Sequence, residues 1–211
     1  MTTSVMATGL ALVFVAGCSA PARVPDEPYG FSKPPYVHPR IIEDLSTWLS
    51  DCGDQVVAIN LTDSQNSNRY FGDVLVNENP GEAPFVYARD GTEIFGYEHV
   101  GTTGSGIHVL LTESRGGGTG VFVNLLLVRF EHDDGVDADW EEGVIRRGRP
   151  RLLIRKLGEI GLGDRWSGSL RVRGDEVFVG KDEGVFAGTT LHGPLSSDPR
   201  DRILTIRLDP E

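Results

Sequence analysis

Short apolar runs recur along the chain beyond residue 54, and at 170–173 and 203–208 apolar residues alternate with polar ones, a pattern that predicts β-strands. Short runs rich in Val, Ile, Leu and Phe are separated by clusters of Gly, Asp, Asn and Ser, which are typical of turns. The predicted strands are 55–61, 70–76, 85–89, 94–100, 107–112, 121–130, 152–157, 170–173, 177–179 and 203–208. A mostly β fold of about nine or ten short antiparallel strands favours a single β-sandwich, or a barrel-like domain.

Two local patterns refine this prediction. The run from Val121 to Val128 is apolar at every position except Asn124, so both faces of this strand are expected to be buried inside a sheet. Asp90 and Gly91 stand between two predicted strands and form a strong signal for a tight hairpin.

One amphipathic helix is predicted before the strands, from Pro39 to Cys52. Proline suits the first turn of a helix, and apolar residues recur behind it at helical spacing. The apolar face consists of Ile41, Ile42, Leu45, Trp48, Leu49 and Cys52. On this face Cys52 is expected to be a buried, unreactive thiol; the alternative is a catalytic nucleophile, for which no companion histidine motif exists.

The N-terminus carries an apolar run that ends in Val15, Ala16, Gly17 and Cys18. Residues 9–17 are too short to cross a bilayer, which takes about 20 residues, and their length is typical of a secretory signal. Together they resemble the lipobox of bacterial lipoproteins, although residues 1–9 contain no Lys or Arg. The alternative is an uncleaved apolar N-terminus in which the cysteine stands by chance.

The resemblance implies that residues 1–17 are a signal peptide and that Cys18 is the lipidated first residue of the mature protein. Its sulfur would carry a diacylglycerol and its amine an acyl chain such as palmitate, and two or more chains give lasting membrane attachment. Ser19 follows, where an Asp would indicate retention at the inner membrane. The implied location is the cell envelope, at the outer membrane if the bacterium is Gram-negative.

Residues 18–37 are predicted to be the lipidated N-terminus and a Pro-rich tether, followed by the β domain at residues 38–211. Six of the twelve prolines lie between residues 21 and 39. A polyproline chain rises about 3.1 Å per residue, so the tether holds the domain up to about 60 Å from the bilayer. The sequence leaves open whether its three aromatic side chains dock on the domain or touch the membrane interface: Tyr29, Phe31 and Tyr36.

The chain is acidic. It contains 20 Lys and Arg against 31 Asp and Glu, and the net charge of −11 argues against nucleic acid as a partner. Its glycine-rich segments do not open a helix after a strand, as nucleotide-binding loops do, and no cofactor is expected. The expected partners are the membrane, through the lipid anchor, and an envelope protein or glycan.

The densest acidic segment is a weak candidate for a Ca²⁺ site, although its spacing is not that of an EF-hand. The candidate ligands are Asp133, Asp134, Asp137 and Asp139. A basic run follows at residues 146–156, and the favoured interpretation is a solvated hairpin whose two strands form ion pairs. Alternatively, the arginines bind a phosphate-bearing envelope polymer.

No catalytic motif is present in the sequence. The histidines at positions 38, 99, 108, 132 and 192 lack zinc-binding spacing, and no serine stands in a nucleophile elbow. The sequence therefore predicts a non-catalytic binding or scaffolding domain. The alternative is a hydrolase acting on envelope polysaccharide or peptidoglycan, with candidate carboxylates at Glu98, Glu113 or Asp134.

Two further features have possible roles in recognition. Four aromatic residues are expected to be exposed and are candidates for stacking on sugar rings: Trp140, Trp166, Tyr87 and Tyr97. Arg173, Gly174 and Asp175 spell the tripeptide that integrins recognise, and the favoured interpretation is a hairpin turn.

Overall fold

The computed structural model describes residues 28–46, 55–78, 83–180 and 204–207. Strands make up 57% of these residues, well above the roughly 20–25% of an average domain. The predicted mostly β, antiparallel fold is therefore confirmed. In the described part of the chain, no helix is long and apolar enough to cross a bilayer. The predicted signal peptide and Cys18 lie outside the described residues.

Ten strands lie in the described part of the chain and pair antiparallel throughout. They are β1 (Ala58–Asn60), β2 (Leu75–Asn77), β3 (Phe85–Asp90), β4 (Glu93–Thr102), β5 (His108–Gly116), β6 (Phe122–Asp139), β7 (Val144–Asp164), β8 (Leu170–Arg173), β9 (Glu176–Val179) and β10 (Leu204–Arg207). A large sheet has the order β1-β7-β6-β5-β4-β3-β2, and a small sheet has the order β10-β9-β8.

The predicted helix begins where expected. Helix α1 spans Pro39–Leu45, and the His38 side chain caps it by accepting a hydrogen bond from the backbone N–H of Arg40, at 3.1 Å. Burial, together with the Arg40 charge, lowers the pKa of His38, which favours the neutral ring that this cap requires. The backbone of Ser46 is extended, so α1 ends at Leu45. The rest of the predicted helix, including Cys52, lies outside the described residues.

One face of the large sheet packs against α1, against a four-residue helix α2 (Leu61–Ser64) and against residues 28–37. The buried side chains of this core are Phe31, Val37, Ile41, Ile42, Leu45, Ile59, Leu61, Val86, Phe95, Tyr97, Leu110, Leu126, Val128, Phe130, Leu152 and Ile154. The Tyr97 hydroxyl donates a hydrogen bond of 2.7 Å to the carbonyl oxygen of Val37. The described half of the predicted tether is therefore docked on the sheet.

The other face of the large sheet packs against the small sheet. This second core contains Ile107, Val109, Leu125, Leu127, Val177 and Val179. Strand β6 contributes alternate side chains to the two cores, which confirms the prediction of an interior strand that is apolar on both faces. Within the described residues, side chains of β8 and β9 pack against residues of β4 to β7 in this core, and β8 contacts β4.

Candidate functional site

The acidic and basic runs form the distal part of the β6–β7 hairpin, as favoured from the sequence. Among the described residues, four ion pairs cross this hairpin: Asp134 with Arg147, Asp133 with Arg151 at 2.5 Å, Glu131 with Arg155 at 2.6 Å, and Asp139 with Arg146 at 3.8 Å. The Asp139 carboxylate accepts hydrogen bonds from the backbone N–H groups of two turn residues, Glu141 and Glu142. Three of the four Ca²⁺ candidates are thus bound by protein groups. No group of three or more His, Cys, Asp or Glu in the described chain is placed to share a metal ion.

The four aromatic candidates for sugar stacking lie in different environments. Tyr97 is fully buried, which corrects its assignment as an exposed aromatic residue: it points to the same face of β4 as Phe95, into the first core. Burial raises the pKa of its hydroxyl. Trp166 packs against the second core, and Trp140 is 90% exposed in the turn of the β6–β7 hairpin. Only Tyr87 lies beside another aromatic ring on an accessible sheet face.

That ring belongs to Phe85, whose centroid is 5.7 Å from that of Tyr87 with an interplanar angle of 21°. Both residues are on β3, two positions apart, so their side chains share one face of the sheet. Gly96 on β4 lies opposite Tyr87 and makes this stack possible. A Cβ atom at Gly96 would approach the Phe85 ring to 2.4 Å and the Tyr87 Cβ to 2.7 Å, so any side chain there would displace the aromatic pair.

Two arginines continue this surface. Arg89 follows Tyr87 on the same face of β3 and lies opposite Ile94 on β4, and Ile94 in turn lies opposite Arg115 on β5. The two guanidinium groups therefore flank Ile94 from neighbouring strands. A shallow hollow joins these residues to the edge strand β2. We call the surface the aromatic–arginine face; it is lined by Val76, Asn77, Phe85, Tyr87, Arg89, Ile94 and Arg115.

The candidate carboxylates of the hydrolase alternative are partly brought together. Glu98 pairs with Leu111 across β4 and β5, and Glu113 pairs with Gly96, so the two carboxylates are diagonal neighbours on the face that also carries Phe85 and Tyr87. Glu113 binds the guanidinium of Arg115 at 3.1 Å. Asp134 lies apart from them, in the β6–β7 hairpin.

The aromatic–arginine face has the chemistry of a site for an anionic saccharide. Flat aromatic rings stack on the apolar faces of sugar rings, and the planar guanidinium fork matches a carboxylate or phosphate with two parallel hydrogen bonds. The amide of Asn77 adds both donors and an acceptor. Glu113 on the same face already pairs with Arg115 at 3.1 Å, so an anionic ligand would compete with this carboxylate for the Arg115 guanidinium.

Sequence reasoning missed a second cluster, on the opposite face of the same two central strands. His99 Nε2 lies 3.5 Å from His108 Nδ1, and the Thr102 hydroxyl lies 3.2 Å and 3.0 Å from these two atoms. Ser32 contacts His99 Nδ1, and the Phe31 ring packs against both imidazoles. Burial lowers the pKa of His99, and burial together with the charge of His99 lowers the pKa of His108 to about 4.

The integrin-type tripeptide has an internal role. The Asp175 carboxylate accepts a hydrogen bond from the backbone N–H of Ser105 at 2.7 Å, and the Gly174 carbonyl accepts one from Gly104 at 3.0 Å. Gly174 adopts a positive φ of 60° between β8 and β9. The favoured interpretation as a hairpin turn is confirmed, and this turn fixes the β4–β5 connection.

Comparison with protein-family models, curated proteins and solved structures finds no match for this chain. Its function is therefore argued from the geometry of these two sites and from the N-terminal residues.

Proposed function

We propose that this protein is a bacterial envelope lipoprotein whose β domain binds an anionic glycan without cleaving it. The observation that carries the proposal is the aromatic–arginine face, where the stacked rings of Phe85 and Tyr87 stand beside Arg89 and Arg115. We further propose that the two sheets form a β-sandwich, in which the small sheet leaves this part of the large sheet accessible. A glycan would then lie across β3, β4 and β5.

Membrane attachment through Cys18 is the second part of the proposal. It is supported by the lipobox-like residues Val15, Ala16, Gly17 and Cys18, and by the proline-rich segment that follows them. Attachment at the outer membrane, if the bacterium is Gram-negative, would hold an acidic domain beside the charged polysaccharides of the envelope.

Replacing Cys18 with serine is expected to release the protein from membranes. Serine cannot form the thioether, and the acidic domain offers no other anchor that the sequence predicts. The measurement is membrane fractionation of both proteins, with metabolic palmitate labelling. Replacing Ser19 with alanine is the matched control and should leave attachment unchanged. Equal membrane association of the wild type and the Cys18 variant, with no label on the wild type, would exclude lipidation.

Glycan binding is tested by calorimetric titration with an oligosaccharide that contains glucuronate and with the same oligosaccharide after reduction of its carboxyl groups. We expect tighter binding of the acidic form. Replacing Arg89 with glutamine should weaken that binding about tenfold or more, because a hydrogen bond to a charged group contributes roughly 1.5–3 kcal/mol. Replacing Tyr87 with alanine should also weaken it, because the substitution removes one of the two rings on which the sugar would stack.

Replacing Arg173 with glutamine is the control, since it removes the same charge from an exposed residue of the small sheet. Equal weakening by this substitution would indicate a general charge effect rather than a site. Chromatography of the oligosaccharide after incubation tests the hydrolase alternative. Cleavage that is lost when Glu98 or Glu113 is replaced with glutamine would replace the binding proposal with an enzymatic one.

A further inference from the structure

We propose that His99, Thr102 and His108 form a binding site for a divalent transition-metal ion of the zinc class. The observation is the convergence of three potential ligand atoms: His99 Nε2, His108 Nδ1 and Thr102 Oγ1 are separated by 3.5, 3.0 and 3.2 Å. This site lies on the face of the large sheet opposite the aromatic–arginine face, and it is independent of the proposed glycan binding.

The three separations match the size of a metal coordination sphere. In a tetrahedral zinc site with bonds of about 2.0–2.1 Å, neighbouring ligand atoms are about 3.3–3.4 Å apart. The triangle formed by the two imidazole nitrogens and the hydroxyl oxygen has nearly this size. A point about 2 Å from all three atoms lies just outside the plane of this triangle, and a water molecule would complete the tetrahedron there.

A β-bulge creates this convergence. His99 and Thr102 are three residues apart on β4, and regular alternation would place their side chains on opposite faces. The register with β5 shifts between His99 and Gly101, and the additional residue returns Thr102 to the face of His99. Thr102 then lies directly opposite His108 in the β4–β5 ladder. Bulges commonly redirect side chains in this way next to functional sites.

The surroundings hold the two rings in place. Ser32 contacts His99 Nδ1, which leaves Nε2 directed at the other two ligand atoms. A metal-binding histidine typically makes such a second hydrogen bond through its remaining ring nitrogen. The Phe31 ring packs at 5.7 Å from His99 and 4.9 Å from His108, measured between ring centroids. Thr102 is exposed and both histidines are partly exposed, so an ion can enter from solvent.

The experiment titrates the metal-free full-length protein with Zn²⁺ at pH 7.5, by calorimetry and by NMR of the histidine ring resonances. Mg²⁺ serves as the comparison ion. We expect one Zn²⁺ per chain, shifts of the His99 and His108 resonances, and no response to Mg²⁺. Replacing His108 with glutamine should weaken binding more than tenfold. Replacing Thr102 with valine, which keeps the shape of the side chain, should weaken it to a smaller extent.

Replacing His132 with glutamine is the matched control, because His132 is an exposed histidine on β6 away from the cluster, and binding should be unchanged. The proposal is overturned if Zn²⁺ does not bind. It is equally overturned if binding survives the His108 substitution, as binding by the Cys52 thiol would, or if the resonances that shift belong to other histidines. The wild-type NMR result stands even if a variant fails to fold.

Discussion

Replacing Phe31 with alanine is expected to lower the free energy of unfolding by about 3–5 kcal/mol, the usual cost of truncating a buried phenylalanine. Phe31 is only 2% exposed. Its ring stacks on Phe130 at 5.1 Å between centroids and meets the edge of Tyr97 at 5.8 Å. The substitution therefore leaves a cavity where residues 28–37 cross the large sheet, and these residues should separate from it more readily.

The matched control is the replacement of Phe71 with alanine. Phe71 is 69% exposed, so the same chemical change should alter stability by no more than about 0.5 kcal/mol. Urea denaturation measures both effects, and hydrogen exchange at residues 28–37 reports separation of the segment. Similar denaturation midpoints for the two variants, with unchanged exchange, would show that the segment does not contribute to the core.

The sequence predicted the strands that carry apolar side chains well, because hydrophobic periodicity is determined by local burial. The predicted hairpin at Asp90 and Gly91 is present, but its turn lies one residue further along the chain. Asp90 is the last residue of β3, and Gly91 is in the turn with a φ of 57°. Strands β6 and β7 are longer than the hydrophobic pattern predicted, because their distal parts lack a continuous apolar face. The distal parts of β6 and β7 are held by pairs such as Asp133 with Arg151, which period-two hydrophobicity does not register.

The candidate sites were not predictable, because each depends on register between strands. Tyr97 was expected to be exposed, yet its position on β4 directs it into the core, and the less conspicuous Phe85 lies beside Tyr87. The bulge between His99 and Gly101 decides which side chains share a face, and a single glycine in the sequence does not specify it. Proline content likewise predicted an extended segment but not the burial of Phe31.

A second bulge produces a buried ion pair in β7. Lys156 and Glu159 are three residues apart, and the register with β6 shifts between Leu127 and Val128, so both side chains reach the same face. The Lys156 ammonium lies 2.7 Å from the Glu159 carboxylate, and the two side chains are only 9% and 8% exposed. Ser46 Oγ donates a further hydrogen bond of 2.6 Å to this carboxylate.

Replacing Lys156 with methionine is therefore expected to lower the free energy of unfolding by about 3–5 kcal/mol, because it removes the ammonium from beside a buried carboxylate. Replacing both Lys156 and Glu159 with methionine should restore most of this loss, since buried pairs replaced by apolar residues of similar volume are often neutral.

Replacing Arg146 with methionine is the control: its pair with Glu142 is exposed and should contribute at most about 1 kcal/mol. Urea denaturation of the four proteins gives the comparison. The pair does not behave as a buried one if the Lys156 substitution lowers the free energy of unfolding no more than the Arg146 substitution does. The same conclusion holds if the double variant is less stable than the Lys156 variant.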